Sequence, residues 1–84
     1  MINKIYKSVL ITGASSGIGL ETLKRFFKEK IKIYALDKDI SALEKLKKKY
    51  KFEIIQIDLF DTDQIYKKLT KVRVDMIVCN AGIG

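Results

Sequence analysis

Apolar residues in this chain follow two alternating patterns. Short runs rich in Ile, Val and Leu, such as Val9-Leu10-Ile11, Ile54-Ile55 and Met76-Ile77-Val78-Cys79, are separated by longer segments in which apolar residues recur every three or four positions. A short continuous run suits a strand buried in a parallel sheet, and the wider spacing suits a helix with one apolar face, so the alternation reads as repeated βαβ units. The runs predict strands over residues 7–12, 31–36, 53–57 and 74–79. The intervening periods predict helices over residues 16–29, 42–50 and 62–71. The first places Leu20, Leu23 and Phe27 on one face, with Phe26 widening the stripe; the second places Leu43, Leu46 and Tyr50; the third, with the weakest period, places Ile65, Leu69 and Val72. Ser41 to Glu44 has the form of a capping box, and Asp61, with Gln64 three residues on, marks the start of the third helix.

Right-handed crossovers put these strands in the order 3-2-1-4, with the first two helices on one face and the third on the other. The expected fold is α/β, a Rossmann-like half with a four-stranded parallel sheet. One short helix covers its second face thinly, and the outer edge of the fourth strand has no neighbour. Exposed apolar surface there is expected, open to a second chain or to another copy through the edge strand.

Length and composition narrow the class. A chain of 84 residues makes one domain, over residues 1–84, and one this small buries only about 60% of its unfolded surface. With 48% hydrophobic and 32% charged residues and no proline, it reads as an ordered globular piece. No apolar run is long enough for a membrane span or a leader, which predicts a cytoplasmic protein without a membrane partner. A single cysteine, Cys79, and no histidine leave neither an internal disulfide nor a zinc ligand set; Cys79, inside an apolar strand, is expected to be a small buried hydrophobe. The net charge of +7 comes mostly from lysines on predicted solvent faces. Arginine-rich and aromatic contact surfaces are lacking, so the charge predicts no nucleic-acid partner.

The candidate chemistry sits where the first strand meets the first helix. Thr12 to Gly19 read Thr-Gly-Ala-Ser-Ser-Gly-Ile-Gly, a turn whose following helix offers unpaired first-turn amides to an anion. Gly13 frees the turn, Gly17 lets backbone approach phosphates, and Gly19 lets the helix press on the sheet. Ser15, Ser16 and Ile18 lie in the turn as further cofactor contacts, the two hydroxyls divided between ligand contact and helix capping. Asp37 stands at the end of the second strand, 18 residues past Gly19. With Asp39 and Ser41 better placed to cap the second helix, Asp37 is left free to accept adenosine ribose hydroxyls and to repel a 2′-phosphate, favouring NAD over NADP. Lys38 beside it works against that preference.

The glycine pattern Thr-Gly-x-x-x-Gly-x-Gly resembles that of the short-chain dehydrogenases/reductases. Asp58-Leu59 after the third strand resembles the family's adenine-contacting pair, and Asn80-Ala81-Gly82 after the fourth resembles its Asn-Ala-Gly motif. The resemblance implies a dinucleotide partner, with Asp58 accepting from the adenine amino group, Leu59 packing beside the ring, Asn80 closing the fourth strand at the cofactor site with a side chain able to tie two backbones together, and Ala81 and Gly82 small enough to let the nicotinamide-side ribose pass. It also implies hydride exchange between nicotinamide and an alcohol or carbonyl in the complete enzyme.

Two departures matter. Lys30 stands where a glycine commonly ends the family's first helix. The family's catalytic serine and Tyr-x-x-x-Lys pair lie beyond the sequence, while Tyr34 and Lys38 match the spacing on a strand and its exit loop rather than on a helix. The reading is therefore a truncated, NAD-binding half with no catalytic residues of its own. A non-catalytic nucleotide-binding or interaction module completed by a partner chain stands as the alternative.

Overall fold

A computed structural model describes residues 7–80 of the chain. Seven elements alternate along it: β1 (Ser8–Thr12), α1 (Gly17–Lys28), β2 (Lys32–Asp37), α2 (Ser41–Leu46), β3 (Glu53–Gln56), α3 (Thr62–Leu69) and β4 (Met76–Cys79). The strands form one parallel sheet in the order β3-β2-β1-β4. β1 is central, and Val9, Leu10, Ile11 and Thr12 are all buried because the sheet has cover on both sides of this strand.

Side-chain parity divides the core in two. Val9, Ile11, Ile33 and Ala35 face the side covered by α1 and α2, where Leu23, Phe26 and Leu43 complete the larger cluster. Leu10, Leu36 and Ile57 face the other side, closed only by partly buried residues that include Ile65 and Leu69 of α3. No residue of α3 is fully buried. The thin face is plainest at β4: Met76 and Val78 pack on the larger cluster, whereas Ile77 points the other way and is 59% exposed. Cys79 shares the parity of Ile77 and is exposed too, which corrects its expected burial.

The helix ends also differ from expectation. α2 stops at Leu46 rather than at residue 50, and the chain continues in tight turns in which Lys48 and Lys49 donate to the carbonyls three residues back. No apolar residue lies between Leu46 and Tyr50 to hold another helical turn down, and Lys45, Lys47, Lys48, Lys49 and Lys51 crowd like charges there. Tyr50 instead meets Phe27 edge-on at 4.9 Å. The capping box at Ser41 does not form. Ile40 is the N-cap without a side-chain bond, while the Ser41 amide and hydroxyl both donate to Asp39 Oδ1.

α1 closes with a lysine in a glycine's place. Lys30 has φ 60°, and its amide donates to Phe27 O at 3.0 Å while that of Ile31 donates to Phe26 O at 3.4 Å. That pair of bonds is a Schellman motif, whose left-handed residue favours glycine. Ile31 and Phe26 share the larger core cluster and supply the apolar contact that accompanies the motif.

Candidate functional site

The carboxyl ends of all four strands open on one cavity of about 350 Å³, lined by Gly13, Ser15, Ser16, Asp37, Lys38, Ile57, Asp58, Leu59, Phe60 and Asn80. This is the edge of a parallel sheet at which the order of strands reverses, between β1 and β4. Four distant stretches of sequence meet here: the glycine turn, the exit of β2, the loop after β3 and the end of β4.

The turn is built by local hydrogen bonding. Gly13 takes φ 61°, a left-handed conformation that only glycine adopts without strain. The Ser16 amide and hydroxyl both donate to Gly13 O, at 3.2 and 2.9 Å, and Ser16 Oγ accepts from the Gly19 amide at 3.0 Å. Ser16 is therefore the N-cap of α1, a role the sequence left balanced against ligand contact. The next two amides, of Gly17 and Ile18, find no acceptor among the described residues. A Cβ on Gly19 would lie 2.3 Å from Gly13 O, so helix and turn are in backbone contact; a Cβ on Gly17 would meet nothing within 4 Å. These amides, with the positive end of the helix dipole behind them, fit an anionic group.

Asp37 is not free as the sequence suggested. Its Oδ2 accepts from the Ser15 amide at 3.0 Å and the Ser15 hydroxyl at 2.6 Å, and its Oδ1 accepts from the Asp39 amide at 3.2 Å. The end of β2 is thereby tied to the turn after β1, and the Ala14 amide reinforces the tie by donating to Leu36 O at 3.1 Å. Partial burial pushes the Asp37 carboxyl up, but the bonds from Ser15 and from the following amides outweigh it and hold the group below its ordinary range. It is a charged acceptor at neutral pH.

Across the cavity, Asp58 is held by the neighbouring loop. Its amide donates to Gln64 Oε1 at 3.2 Å and its Oδ1 accepts from the Phe60 amide at 3.0 Å. Gln64 thus steadies the site loop rather than closing a capping box on Asp61, whose Oδ1 nonetheless caps α3 by accepting from Asp63 and Gln64. Lys38 Nζ lies 3.9 Å from Asp58 Oδ2, an exposed pair that bridges two walls of the cavity. Asn80 ends β4 with its amide on Thr12 O and Thr12 Oγ1, at 3.1 and 3.2 Å. Its side-chain Nδ2 is buried with no acceptor among the described residues. Ile18 stands 74% exposed at the start of α1, and Ala81 and Gly82 lie outside the described residues.

Sequence reasoning did not single out Phe60, Gln64 or Thr12 for the site. Phe60 had a readable signal, an aromatic residue in the loop between Leu59 and the cap at Asp61. Tyr34 packs with the smaller core cluster, whereas Lys38 lines the cavity, so the Tyr34/Lys38 spacing is without a shared site.

Known proteins are similar to this chain in sequence and in fold. An uncharacterised short-chain type dehydrogenase/reductase of Sinorhizobium fredii is 33% identical over 78 residues, spanning 93% of this chain and 32% of that protein. Among solved structures, a 4-hydroxyisoleucine dehydrogenase complexed with NADH superposes with a TM-score of 0.78 at 30% identity, over 92% of this chain and 34% of that one. A UDP-Glc/GlcNAc 4-epimerase of Campylobacter jejuni superposes with a TM-score of 0.81 at 29% identity, over 90% of this chain and 24% of that one. The chain spans about a third of the length of the first curated relative, 32%. The profile of the short chain dehydrogenase family matches residues 7–84, and the chain belongs to that family.

Proposed function

We propose that residues 1–84 form one dinucleotide-binding unit of an NAD(P)-dependent oxidoreductase, holding the adenosine and diphosphate end of the cofactor and preferring NAD to NADP. A bound nicotinamide supplies hydride chemistry, in the complete enzyme between an alcohol and a carbonyl. The residues of this chain bind and orient. The observation that carries the reading is the pair of amides at Gly17 and Ile18, without an acceptor among the described residues, at the N-terminus of the helix that follows the glycine turn and so at the carboxyl edge of the sheet where Asp37 lies. In this reading the diphosphate lies on α1, Asp37 and Ser15 meet the ribose, Asp58 and Leu59 meet the adenine, and Asn80, Ala81 and Gly82 border the nicotinamide side.

The preference for NAD follows from charge. A 2′-phosphate would approach the Asp37 carboxylate, and Lys38, the one cation lining the cavity among the described residues, lies 3.9 Å from Asp58. Supporting the coarser reading, the 4-hydroxyisoleucine dehydrogenase that this chain resembles was solved with NADH. The C. jejuni epimerase shares the same half with a different named reaction, so this half is read for its cofactor and not for its substrate. Isothermal titration with NAD, NADP and ADP tests the proposal. NAD and ADP are expected to bind and NADP to bind more weakly; absence of all binding by folded protein, or tighter NADP, overturns it.

The place of β4 at the end of the sheet, with no strand beyond it among the described residues and Ile77 exposed on its face, favours an accompanying proposal, that the outer edge of β4 pairs with a strand from a partner chain or another copy. Sedimentation of the chain with and without Ile77→Lys tests the self-pairing form. A concentration-dependent dimer that the variant loses supports it, and a monomer at all concentrations removes it.

A further inference from the structure

The loop after β3 holds an aromatic ring in solvent on a stiff frame. Ile57, 1% exposed, anchors the loop and donates its amide to Asp37 O at 3.0 Å. The Asp58 amide is held by Gln64, the Phe60 amide by Asp58 Oδ1 at 3.0 Å, and the Asp61 amide by Asp58 O at 2.9 Å. These bonds fix the backbone from which the Phe60 side chain projects. The ring is left 94% exposed, more than any other large apolar side chain among the described residues. An isolated exposed phenylalanine needs no explanation, but this one borders the cavity.

The cavity draws its apolar side chains and most of its polar groups from different segments, with Asp58 and its partner Lys38 between them. Its apolar side chains, Ile57, Leu59 and Phe60, all come from this one loop, while the glycine turn and Asp37 supply backbone, hydroxyl and carboxylate groups. A ligand with an anionic end and a flat aromatic end fits in a single direction. We infer that Phe60 is a stacking platform for the purine base of that ligand, giving the base an affinity separate from that of the diphosphate. The inference rests on the nucleotide-binding reading of the cavity and adds to it a residue that acts on the base alone.

Phe60→Ala and Phe60→Trp are titrated with ADP by calorimetry, with inorganic pyrophosphate as a competing ligand that lacks the base. Because the ring is exposed, both variants are expected to keep the thermal midpoint of the parent. Phe60→Ala is expected to weaken ADP by about 5- to 150-fold and to leave pyrophosphate unchanged. Phe60→Trp retains ADP affinity, and, as the chain has no tryptophan, its emission reports the site alone and is quenched by ADP but not by pyrophosphate. Unchanged ADP affinity in Phe60→Ala, or an equal loss for both ligands, overturns the inference while leaving the nucleotide-binding reading intact. So does a dimer that Phe60→Ala dissociates without changing ADP affinity, since the ring then serves a second copy. If the parent chain binds neither ligand, the nucleotide-binding reading fails and the inference falls with it.

Discussion

Gly17 and Gly19 sit two residues apart in one turn, yet the structure predicts opposite outcomes for the same substitution. Gly17 is the first residue of α1, and a Cβ there meets nothing within 4 Å. Replacing a helical glycine with alanine removes backbone freedom from the unfolded chain, so Gly17→Ala is expected to stabilise by about 0.5–1 kcal/mol. For a domain of this size that raises Tm by roughly 2–8 °C. On the proposed reading the new methyl would nevertheless stand in the open space through which a phosphate oxygen would reach the Gly17 and Ile18 amides. Losing one charge-assisted hydrogen bond costs about 1.5–3 kcal/mol, or roughly 10- to 150-fold in ADP affinity.

Gly19→Ala meets backbone instead. Its Cβ falls 2.3 Å from Gly13 O and 2.8 Å from Ala14 Cα, atoms that no rotamer change can clear. Overpacking of that kind costs about 1–3 kcal/mol, and Tm falls by roughly 4–8 °C for each kcal/mol. Thermal melts followed by circular dichroism, paired with ADP titrations, separate the two cases. Gly17→Ala is the informative variant, because it is expected to gain stability and lose ligand together. An ADP affinity equal to the parent's refutes the placement of phosphate at this helix, and a lowered Tm refutes the open space above Gly17.

Lys30→Gly is expected to stabilise by about 1 kcal/mol, since the left-handed Schellman position at φ 60° costs a side chain and not a glycine; a differential melt checks it, and ADP affinity is expected to stay unchanged because Lys30 is not among the cavity's lining residues. Asp37 predicts an acid dependence: its folded pKa lies below the ordinary 3.8, so its contribution is complete above that value and is lost as pH falls through the folded pKa. Urea midpoints measured from neutral to strongly acidic pH are expected to drop less in Asp37→Asn than in the parent. On the reading that this chain binds and orients the cofactor, the purified chain with NAD and simple alcohols is expected to give no NADH absorbance, and measurable turnover refutes that division of roles.

Much of the fold was legible because period and parity are local properties. The Ile- and Val-rich runs, the three helical stripes and the crossover rule lead to the order β3-β2-β1-β4 and to helices divided two against one. Parity extended to β4 also reveals what the apolar character of the run concealed. Residues 77 and 79 share a face opposite to 76 and 78, and that face is the thin one, so Cys79 is exposed despite its neighbours. The caps were harder to read, because one acceptor competes for several donors. Asp39 Oδ1 captures both the amide and the hydroxyl of Ser41, which removes the hydroxyl from any capping box with Glu44. Lys38 reaching Asp58, and Gln64 holding the Asp58 amide, depend on two loops meeting after the sheet has formed. No spacing in the sequence encodes such contacts.

Asp37 shows how a residue proposed for binding can first be a structural one. A carboxylate has about four acceptor positions, and three here are occupied by the Ser15 amide, the Ser15 hydroxyl and the Asp39 amide. The Lys38 amide also bears on the group, so a ribose hydroxyl would compete for what acceptor capacity remains. The Ser15 hydroxyl, by turning away from Oδ2, would release a position and could itself bond to the sugar. On the proposed reading the choice between NAD and NADP would be coupled to the glycine turn, because the carboxylate proposed to repel a 2′-phosphate is the one that fixes the turn through Ser15. Neutralising Asp37 would relax cofactor preference and loosen phosphate binding together, whereas removing only the Ser15 hydroxyl would keep the charge and free one acceptor. The two effects assigned to Asp37 are separable at Ser15 and not at Asp37 itself.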